Sequence, residues 1–175
     1  MKHEVRICGF GGQGVITAAV ILGKAAAVHD GLTALQVQSY GPEARGGAAR
    51  AEVIIADHAI GYPGITLADV LVAMSQEAYN RYHRAIKPAA ALIIDPDLVF
   101  QRDESQHLTP VRATKIAEDL GNTVVANIVM LGALTALTGV VSPEALLAAT
   151  MESVPARFRE LNRRALEAGM QAVRG

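Results

Sequence analysis

Three glycines near the N-terminus have a spacing that suits phosphate binding. Gly9, Gly11 and Gly14 form a G-x-G-x-x-G pattern between a strand-like segment at 4–8 and a helix-like segment at 15–29. In such a loop the first glycine permits a tight turn, the second lets a phosphate approach the backbone, and the third lets the helix pack close to the strand. The N–H groups at the start of the helix then face the anion. The pattern predicts a phosphate-binding loop; the alternative is a loop that serves only turning and packing.

The glycine loop does not by itself identify a ligand. A dinucleotide site normally has an Asp or Glu near the end of the second strand, where it holds a ribose hydroxyl. That region here reads Val37-Gln38-Ser39-Tyr40, and no acid follows until Glu43. A nicotinamide or flavin cofactor is therefore disfavoured, and another phosphate-bearing ligand is favoured.

A second distinctive segment, 38–47, reads QSYGPEARGG and follows the second predicted strand. We expect it at the carboxyl edge of the sheet, on the same side as the glycine loop. Arg45 could grip a phosphate or carboxylate with two parallel hydrogen bonds, whereas the alternative is a surface loop with a weak Glu43–Arg45 pair. The residues that this segment would contribute to a site are Ser39, Tyr40, Glu43, Arg45, Gly46 and Gly47.

The elements that must position both loops alternate between strand and helix. Strands are predicted at 4–8, 32–38, 50–56, 70–74, 91–95 and 109–112. Helices are predicted at 15–29, 76–86, 114–120, 122–137, 143–153 and 158–173. This order indicates right-handed βαβ units in a Rossmann-like, doubly wound α/β fold with a mostly parallel sheet and additional C-terminal helices. The length of 175 residues fits a single domain, 1–175.

Composition excludes several classes of protein. The net charge of −1 points neither to nucleic acid nor to an anionic membrane surface. The one cysteine, Cys8, rules out an internal disulfide and an iron–sulfur cluster held by this chain's own thiolates, and we expect it to be inert. The five histidines show no metal-ligand spacing. The N-terminus lacks a signal-peptide pattern, which favours the cytoplasm.

An apolar segment, 124–141, is shorter than the roughly 20 residues of a membrane span and is interrupted by polar residues and glycines. We expect a buried or interface helix. Within it, Asn127 is expected either to make a satisfied hydrogen bond in the core or to line a ligand or subunit surface.

Several of these segments together resemble one family. They are GGQGV at 11–15, QSYGPEARGG at 38–47, AEVII at 51–55, Ile60 with Tyr62-Pro63, and NIVMLG at 127–132. In this combination the chain resembles the gamma subunit of 2-oxoacid:ferredoxin oxidoreductases over nearly its whole length. The GPEARGG segment is most similar to the branch that acts on 2-oxoglutarate, while pyruvate, branched-chain and aryl 2-oxoacids stay open.

The resemblance implies an enzyme that decarboxylates a 2-oxoacid on thiamine diphosphate, passes electrons through iron–sulfur clusters to ferredoxin, and transfers the acyl group to coenzyme A. It implies that thiamine diphosphate, magnesium and the clusters belong to alpha, beta and ferredoxin-like delta subunits, and that this chain has no catalytic residue. Coenzyme A is the cofactor expected near this chain. A homodimer is expected when the chain is expressed alone, because the apolar surface meant for its partners would be left exposed. The expected cofactor-binding residues of the glycine loop are Gly9, Gly11, Gly12, Gln13 and Gly14. The residues named above for segment 38–47 complete the expected cofactor site.

Two other functions stay open at this point. One is a free-standing oxidoreductase that uses the glycine loop for NAD(P) or a flavin. The other is a purely structural subunit without a ligand.

Overall fold

The computed structural model of the chain describes residues 1–39 and 48–175. Within them one sheet has the strand order β2-β3-β1-β4-β5-β6. Its strands are β1 (Lys2–Phe10), β2 (Thr33–Ser39), β3 (Ala48–Ala56), β4 (Ala68–Ala73), β5 (Ile86–Ile94) and β6 (Thr109–Pro110).

Helices pack on both faces of this sheet, which confirms the predicted α/β class. They are α1 (Val15–Lys24, continued by a π-helical turn, Ala25–His29), α2 (Gln76–Tyr82), α3 (Ala113–Leu120), α4 (Ala126–Thr138), α5 (Pro143–Ser153) and α6 (Arg159–Ala172). Short 3₁₀ turns, Thr123–Val125 and Ala156–Phe158, lead into α4 and α6.

Strand direction follows the prediction except at β3. β1 pairs in parallel with β4, β4 with β5 and β5 with β6, whereas β3 is antiparallel to both β1 and β2. The sheet is therefore mostly parallel, as predicted, and β3 is the exception. Only residues 40–47 connect these two strands. A parallel crossover needs a dozen or more residues, so the chain turns back instead.

One face of the sheet carries the larger core. Val5, Ile7 and Val72 pack there with apolar residues of α1 and α3–α6. α4 is buried for most of its length because it lies between the sheet and the other helices, which confirms the buried helix expected at 124–141. Among the described residues, no helix combines the length and apolar character that crossing a membrane would require.

α4 and α6 approach each other closely through two glycines. A Cβ atom at Gly132 would meet the carbonyl oxygen of Leu166, and one at Gly169 would meet the carbonyl oxygen of Val129. The helix backbones therefore lie in direct contact, and no larger side chain fits at either position.

The opposite face is covered by α2, whose cap residue Ser75 accepts a hydrogen bond from the amide of Ala78 at 3.1 Å. The predicted helix to residue 86 is too long, since α2 ends at Tyr82 and β5 begins at Ile86. Pro88, which suggested a helix end, instead lies where the pairing of β5 with β4 shifts register, and there a missing N–H costs no ladder bond.

Candidate functional site

The side chain of Gln13 fixes the glycine loop at the carboxyl edge of the sheet. Its Oε1 accepts a hydrogen bond from the amide of Phe10 at 2.6 Å, and its Nε2 donates to the carbonyl oxygen of Met74 at 2.9 Å. These bonds tie the end of β1 to the residue that follows β4. A Cβ atom at Gly9 would meet Oε1 of Gln13 and Cβ of Met74, so a larger residue there would displace the Gln13 side chain from this position.

The conformations and contacts of the loop glycines differ from those that the motif predicts. Gly12 and Gly14 have φ values of +93° and +72°, whereas Gly11 does not adopt a positive φ. A Cβ atom at Gly14 would also meet Nδ2 of Asn127. The close packing assigned to the third glycine is therefore against α4 rather than against the strand, because the Asn127 side chain fills the space beside the start of α1.

The first turn of α1 is open to an anion. Gly14 is its N-terminal cap and supplies no side-chain acceptor, and the turn contains no acidic residue. The first N–H groups of a helix have no partner within the helix, and they lie at its positive end. Gly11 and Gly12 are exposed, so a ligand can approach the backbone here. This geometry fits a phosphate group.

Asn127 links α4 to this loop. Its Nδ2 donates to the carbonyl oxygen of Gly14 at 3.0 Å, and its Oδ1 accepts from the amide of Ile128 at 2.9 Å. The side chain of Asn127 is thus hydrogen-bonded in the core, which was the first of the two expectations for it. It also borders a cavity, so the second expectation, that it lines a ligand or subunit surface, is met in part.

That cavity, of about 380 Å³, lies where α1, α4 and α6 begin. Thr17, Phe158 and Asn162 line it together with Gly12, Gly14 and several aliphatic side chains. Asn162 is 6% exposed, and its Nδ2 donates to the carbonyl oxygen of Phe158. No ionisable side chain of the described residues borders the cavity. It suits an uncharged group of a ligand.

Most of the second predicted loop lies outside the described residues, including Tyr40, Glu43, Arg45, Gly46 and Gly47. The backbone on either side of it is described. Ser39 pairs with Arg50, Arg50 pairs with Cys8, and Ala48 pairs with Phe10. Both ends of the segment therefore lie at the carboxyl edge beside the glycine loop, as expected.

A charged cluster beside this edge was missed by the sequence analysis. Glu52 Oε1 lies 3.1 Å from Nε of Arg50, and Glu52 Oε2 lies 3.5 Å from Nη2 of Arg6. The guanidinium carbons of Arg6 and Arg50 lie 5.2 and 5.7 Å from the ring centroid of Tyr82. The alternation Arg50-Ala51-Glu52 in a predicted strand was the available signal, because residues two apart share one face.

Cys8 has the environment of an inert thiol. It is fully buried, and its Sγ donates to the carbonyl oxygen of Val72 at 3.3 Å. Burial raises the pKa of this thiol to about 12, despite the opposing effect of Arg6 and Arg50. The thiolate needed for nucleophilic or redox chemistry is therefore disfavoured.

The sheet order also argues against a dinucleotide cofactor. β3 lies between β1 and β2, so the end of β2 is two strand spacings, roughly 9.5 Å, from the end of β1. In a dinucleotide-binding fold these two strands are neighbours, and the acid on the second can reach the ribose. Here both the acid and the adjacency are missing.

Comparison with known proteins places this geometry in a family. The family model for pyruvate ferredoxin/flavodoxin oxidoreductase matches residues 4–172. The chain belongs to this family. Among its relatives, the 2-oxoglutarate synthase subunit KorC of Methanothermobacter thermautotrophicus is 49% identical over 181 residues, which cover 99% of this chain and 96% of the relative.

Solved structures of the oxidoreductase family share the fold. The gamma subunit of a keto/oxoacid ferredoxin oxidoreductase from Geobacter sulfurreducens matches with a TM-score of 0.88 and 44% identity over 98% of both chains. The 2-oxoglutarate:ferredoxin oxidoreductase of Magnetococcus marinus, solved with 2-oxoglutarate, coenzyme A and succinyl-CoA bound, matches with a TM-score of 0.88 and 26% identity. The match covers 99% of this chain and 31% of that chain. Relatives of this chain are thus subunits or parts of larger oxidoreductases.

Proposed function

We propose that this chain is the gamma subunit of a cytoplasmic 2-oxoglutarate:ferredoxin oxidoreductase and helps to hold coenzyme A. The observation that carries the proposal is the match to 2-oxoglutarate synthase subunit KorC over almost the full length of both chains. The oxidoreductase forms succinyl-CoA from 2-oxoglutarate, and this chain contributes to it without a catalytic residue of its own.

The chain's own side chains support this division of labour. Its one cysteine is buried with a strongly raised pKa, and an iron–sulfur cluster needs about four ligands. Among the described residues, no group of three His, Cys, Asp or Glu side chains could hold a metal ion. We therefore propose that thiamine diphosphate, magnesium and the clusters lie in alpha, beta and ferredoxin-like delta subunits, with ferredoxin as the final electron acceptor.

Coenzyme A suits the features of the carboxyl edge. Its diphosphate would be held by the first-turn N–H groups of α1, beside Gly11 and Gly12. The neutral cavity next to this turn, bordered by Asn127 and Asn162, would accept an uncharged part of the same molecule. Arg45 of the second loop would add a cation. When bound, coenzyme A supplies the thiol that receives the acyl group.

The test is affinity purification of the tagged chain at native expression, with identification of the proteins that copurify. The proposal predicts thiamine-binding and iron–sulfur subunits, together with 2-oxoglutarate- and coenzyme A-dependent reduction of a viologen dye. Recovery of the chain by itself with a bound nicotinamide or flavin would contradict it and would support the free-standing oxidoreductase.

A purely structural gamma subunit would give the same copurification, so a second comparison separates it. The assembled enzyme would be assayed with Gly12→Ala, which introduces a side chain at a positive-φ position where nothing lies within 4 Å. A role in holding coenzyme A predicts a raised KM for coenzyme A with normal assembly. A structural role predicts normal assembly and an unchanged KM.

A further inference from the structure

Counted over the described residues, the charged cluster under Tyr82 has more positive than negative charge. Arg6 and Arg50 bring two guanidinium groups, and Glu52 brings the carboxylate that contacts both. The side chains of Arg6 and Glu52 are only 4% and 8% exposed. Burial of a charge is costly unless an opposite charge compensates it. A second anion would balance this cluster.

The buried hydrogen bonding of the cluster is also incomplete. Arg6 donates through Nη1 to the carbonyl oxygen of Ala85 and through Nη2 to that of Ile65, at 3.1 and 3.0 Å. Its Nε, although buried, has no hydrogen-bond partner, and neither has Oε2 of Glu52. Arg6 is therefore fixed by backbone carbonyls that neutralise none of its charge, and Glu52 is shared between two cations.

Arg50 is the member of the cluster that a ligand can reach. Its side chain is 35% exposed, its Nε is engaged by Glu52, and its guanidinium lies over the Tyr82 ring. No described residue accepts a hydrogen bond from its two terminal nitrogens. The guanidinium is thus oriented by Glu52 and Tyr82, and its two terminal nitrogens have no acceptor among residues 1–39 and 48–175, which suits a bidentate oxyanion receptor.

The position of Arg50 places this receptor beside the glycine loop. In the sheet it pairs with Cys8 of β1, the residue before Gly9, and with Ser39 at the end of β2. It therefore lies at the carboxyl edge between the starts of the two loops. The first turn of α1 offers one binding position for an anion. Arg50 offers a second one, on the face of the sheet that α2 covers.

We propose that Arg50 binds a phosphate monoester at this edge, namely the 3′-phosphate of coenzyme A, with Glu52 and Tyr82 as positioning residues. The inference rests on the proposed function. Coenzyme A carries two separate anionic groups, a diphosphate and the ribose phosphate monoester. A helix N-terminus suits the diphosphate. The monoester carries nearly two charges at neutral pH and three acceptor oxygens, which matches an oriented guanidinium in a cluster with excess positive charge.

The experiment compares coenzyme A with dephospho-coenzyme A, which lacks the monoester, in the assembled oxidoreductase. Arg50→Gln is expected to raise the KM for coenzyme A about tenfold, since a lost charge-assisted pair has an effect of that order. The KM for dephospho-coenzyme A and kcat are expected to stay within about twofold. Arg50→Lys, which keeps the charge but loses the fork, is expected to fall between the two.

The control is Arg163→Gln, which removes a surface arginine paired with Glu160 and Glu167 on α6 and should change neither KM. A thermal unfolding midpoint for each variant tests folding separately. Glu52→Gln tests the positioning role, because loss of the carboxylate by itself favours anion binding while it releases Arg50. A selective rise in the KM for coenzyme A, smaller than that of Arg50→Gln, is expected if the orientation of Arg50 outweighs this charge effect.

Two results would overturn the assignment and leave the proposed function intact. Equal changes in the KM for coenzyme A and for dephospho-coenzyme A would show that Arg50 does not bind the monoester. A raised KM for 2-oxoglutarate would show that a substrate carboxylate is its ligand instead. Absence of coenzyme A-dependent turnover in the unmodified assembly would overturn both proposals.

Discussion

Nδ2 of Asn127 donates a hydrogen bond of 3.0 Å to the carbonyl oxygen of Gly14, 113 residues earlier in the chain. Through this bond the central helix α4 holds the residue at which α1 starts. The same asparagine also accepts a hydrogen bond from the amide of Ile128. The first turn of α1 is therefore positioned by the helical core as well as by β1.

Replacement of Asn127 tests this link. Asn127→Ala would remove both hydrogen bonds and leave the carbonyl of Gly14 facing a void in a site that is 6% exposed. We expect a loss of about 2 kcal/mol in the free energy of unfolding, measured by chemical denaturation of the purified chain. Asn80→Ala is the control, because Asn80 is exposed and, within the described part of the chain, its side chain accepts a hydrogen bond from Gln76 alone. Equal losses in the two variants would contradict the assigned role.

The close contact of α4 with α6 predicts a contrast between two glycines. Gly169→Ala would place a methyl group against the carbonyl oxygen of Val129, and backbone at both sides prevents relief. We expect a loss of about 3 kcal/mol or more. Gly23→Ala in α1 meets nothing closer than Val53 Cγ1 at 3.9 Å, so it should stabilise the chain by about 0.5 kcal/mol through helix propensity. Thermal and chemical unfolding of both variants would check that the free energy of unfolding falls for Gly169→Ala and rises for Gly23→Ala.

Gln13 should matter for ligand affinity more than for stability. Gln13→Leu keeps the volume near Gly9 but removes the bonds to Phe10 and Met74, so the loop loses its fixed shape. We expect the KM for coenzyme A to rise about tenfold in the assembled enzyme. Gln76→Leu removes a comparable amide, which holds the backbone at Phe100 and Gln101. The Gln76→Leu variant should leave the KM for coenzyme A unchanged. A similar rise in this variant would show that the effect of Gln13→Leu comes from a general loss of rigidity and not from the glycine loop.

Cys8 predicts a pH dependence of thiol reactivity. Because burial raises its pKa to about 12, roughly one folded molecule in a thousand carries the thiolate at pH 9. The unfolded thiol titrates near 8.5, so stability from this group is complete below that pH and is lost as the pH rises toward 12. Labelling with a thiol reagent at pH 9 should be slow in the folded chain and fast in denaturant. Rapid labelling of folded protein would contradict the buried environment.

The order of elements and the glycine loop could be predicted because they depend on local patterns. Strand-like segments alternate with helical ones, and Gly9, Gly11 and Gly14 follow the first strand directly. The reversed direction of β3 was also within reach, since the eight residues 40–47 are too few for a crossover. The end of α2 could not be predicted from the sequence, because Pro88 lies at a register shift in β5 that depends on the pairing of β5 with β4.

The missed parts of the site depend on contacts between distant segments. Arg50 meets Tyr82 only after β3 and α2 have packed on the same face, and Asn127 meets Gly14 across most of the chain. The cavity at Phe158 and Asn162 exists only where three helices begin together. The sequence shows the residue types in each segment, but it does not show which segments become neighbours.

The most direct test of a role in holding coenzyme A is the KM for coenzyme A of the assembled oxidoreductase that carries Arg45→Ala. The KM for 2-oxoglutarate serves as the internal reference, and Arg174→Ala, an exposed arginine after α6, is the matched control. We predict a rise of about tenfold in the KM for coenzyme A, no change for 2-oxoglutarate, and no effect of the control. An unchanged KM for coenzyme A would contradict the assignment of its binding to this edge of the chain.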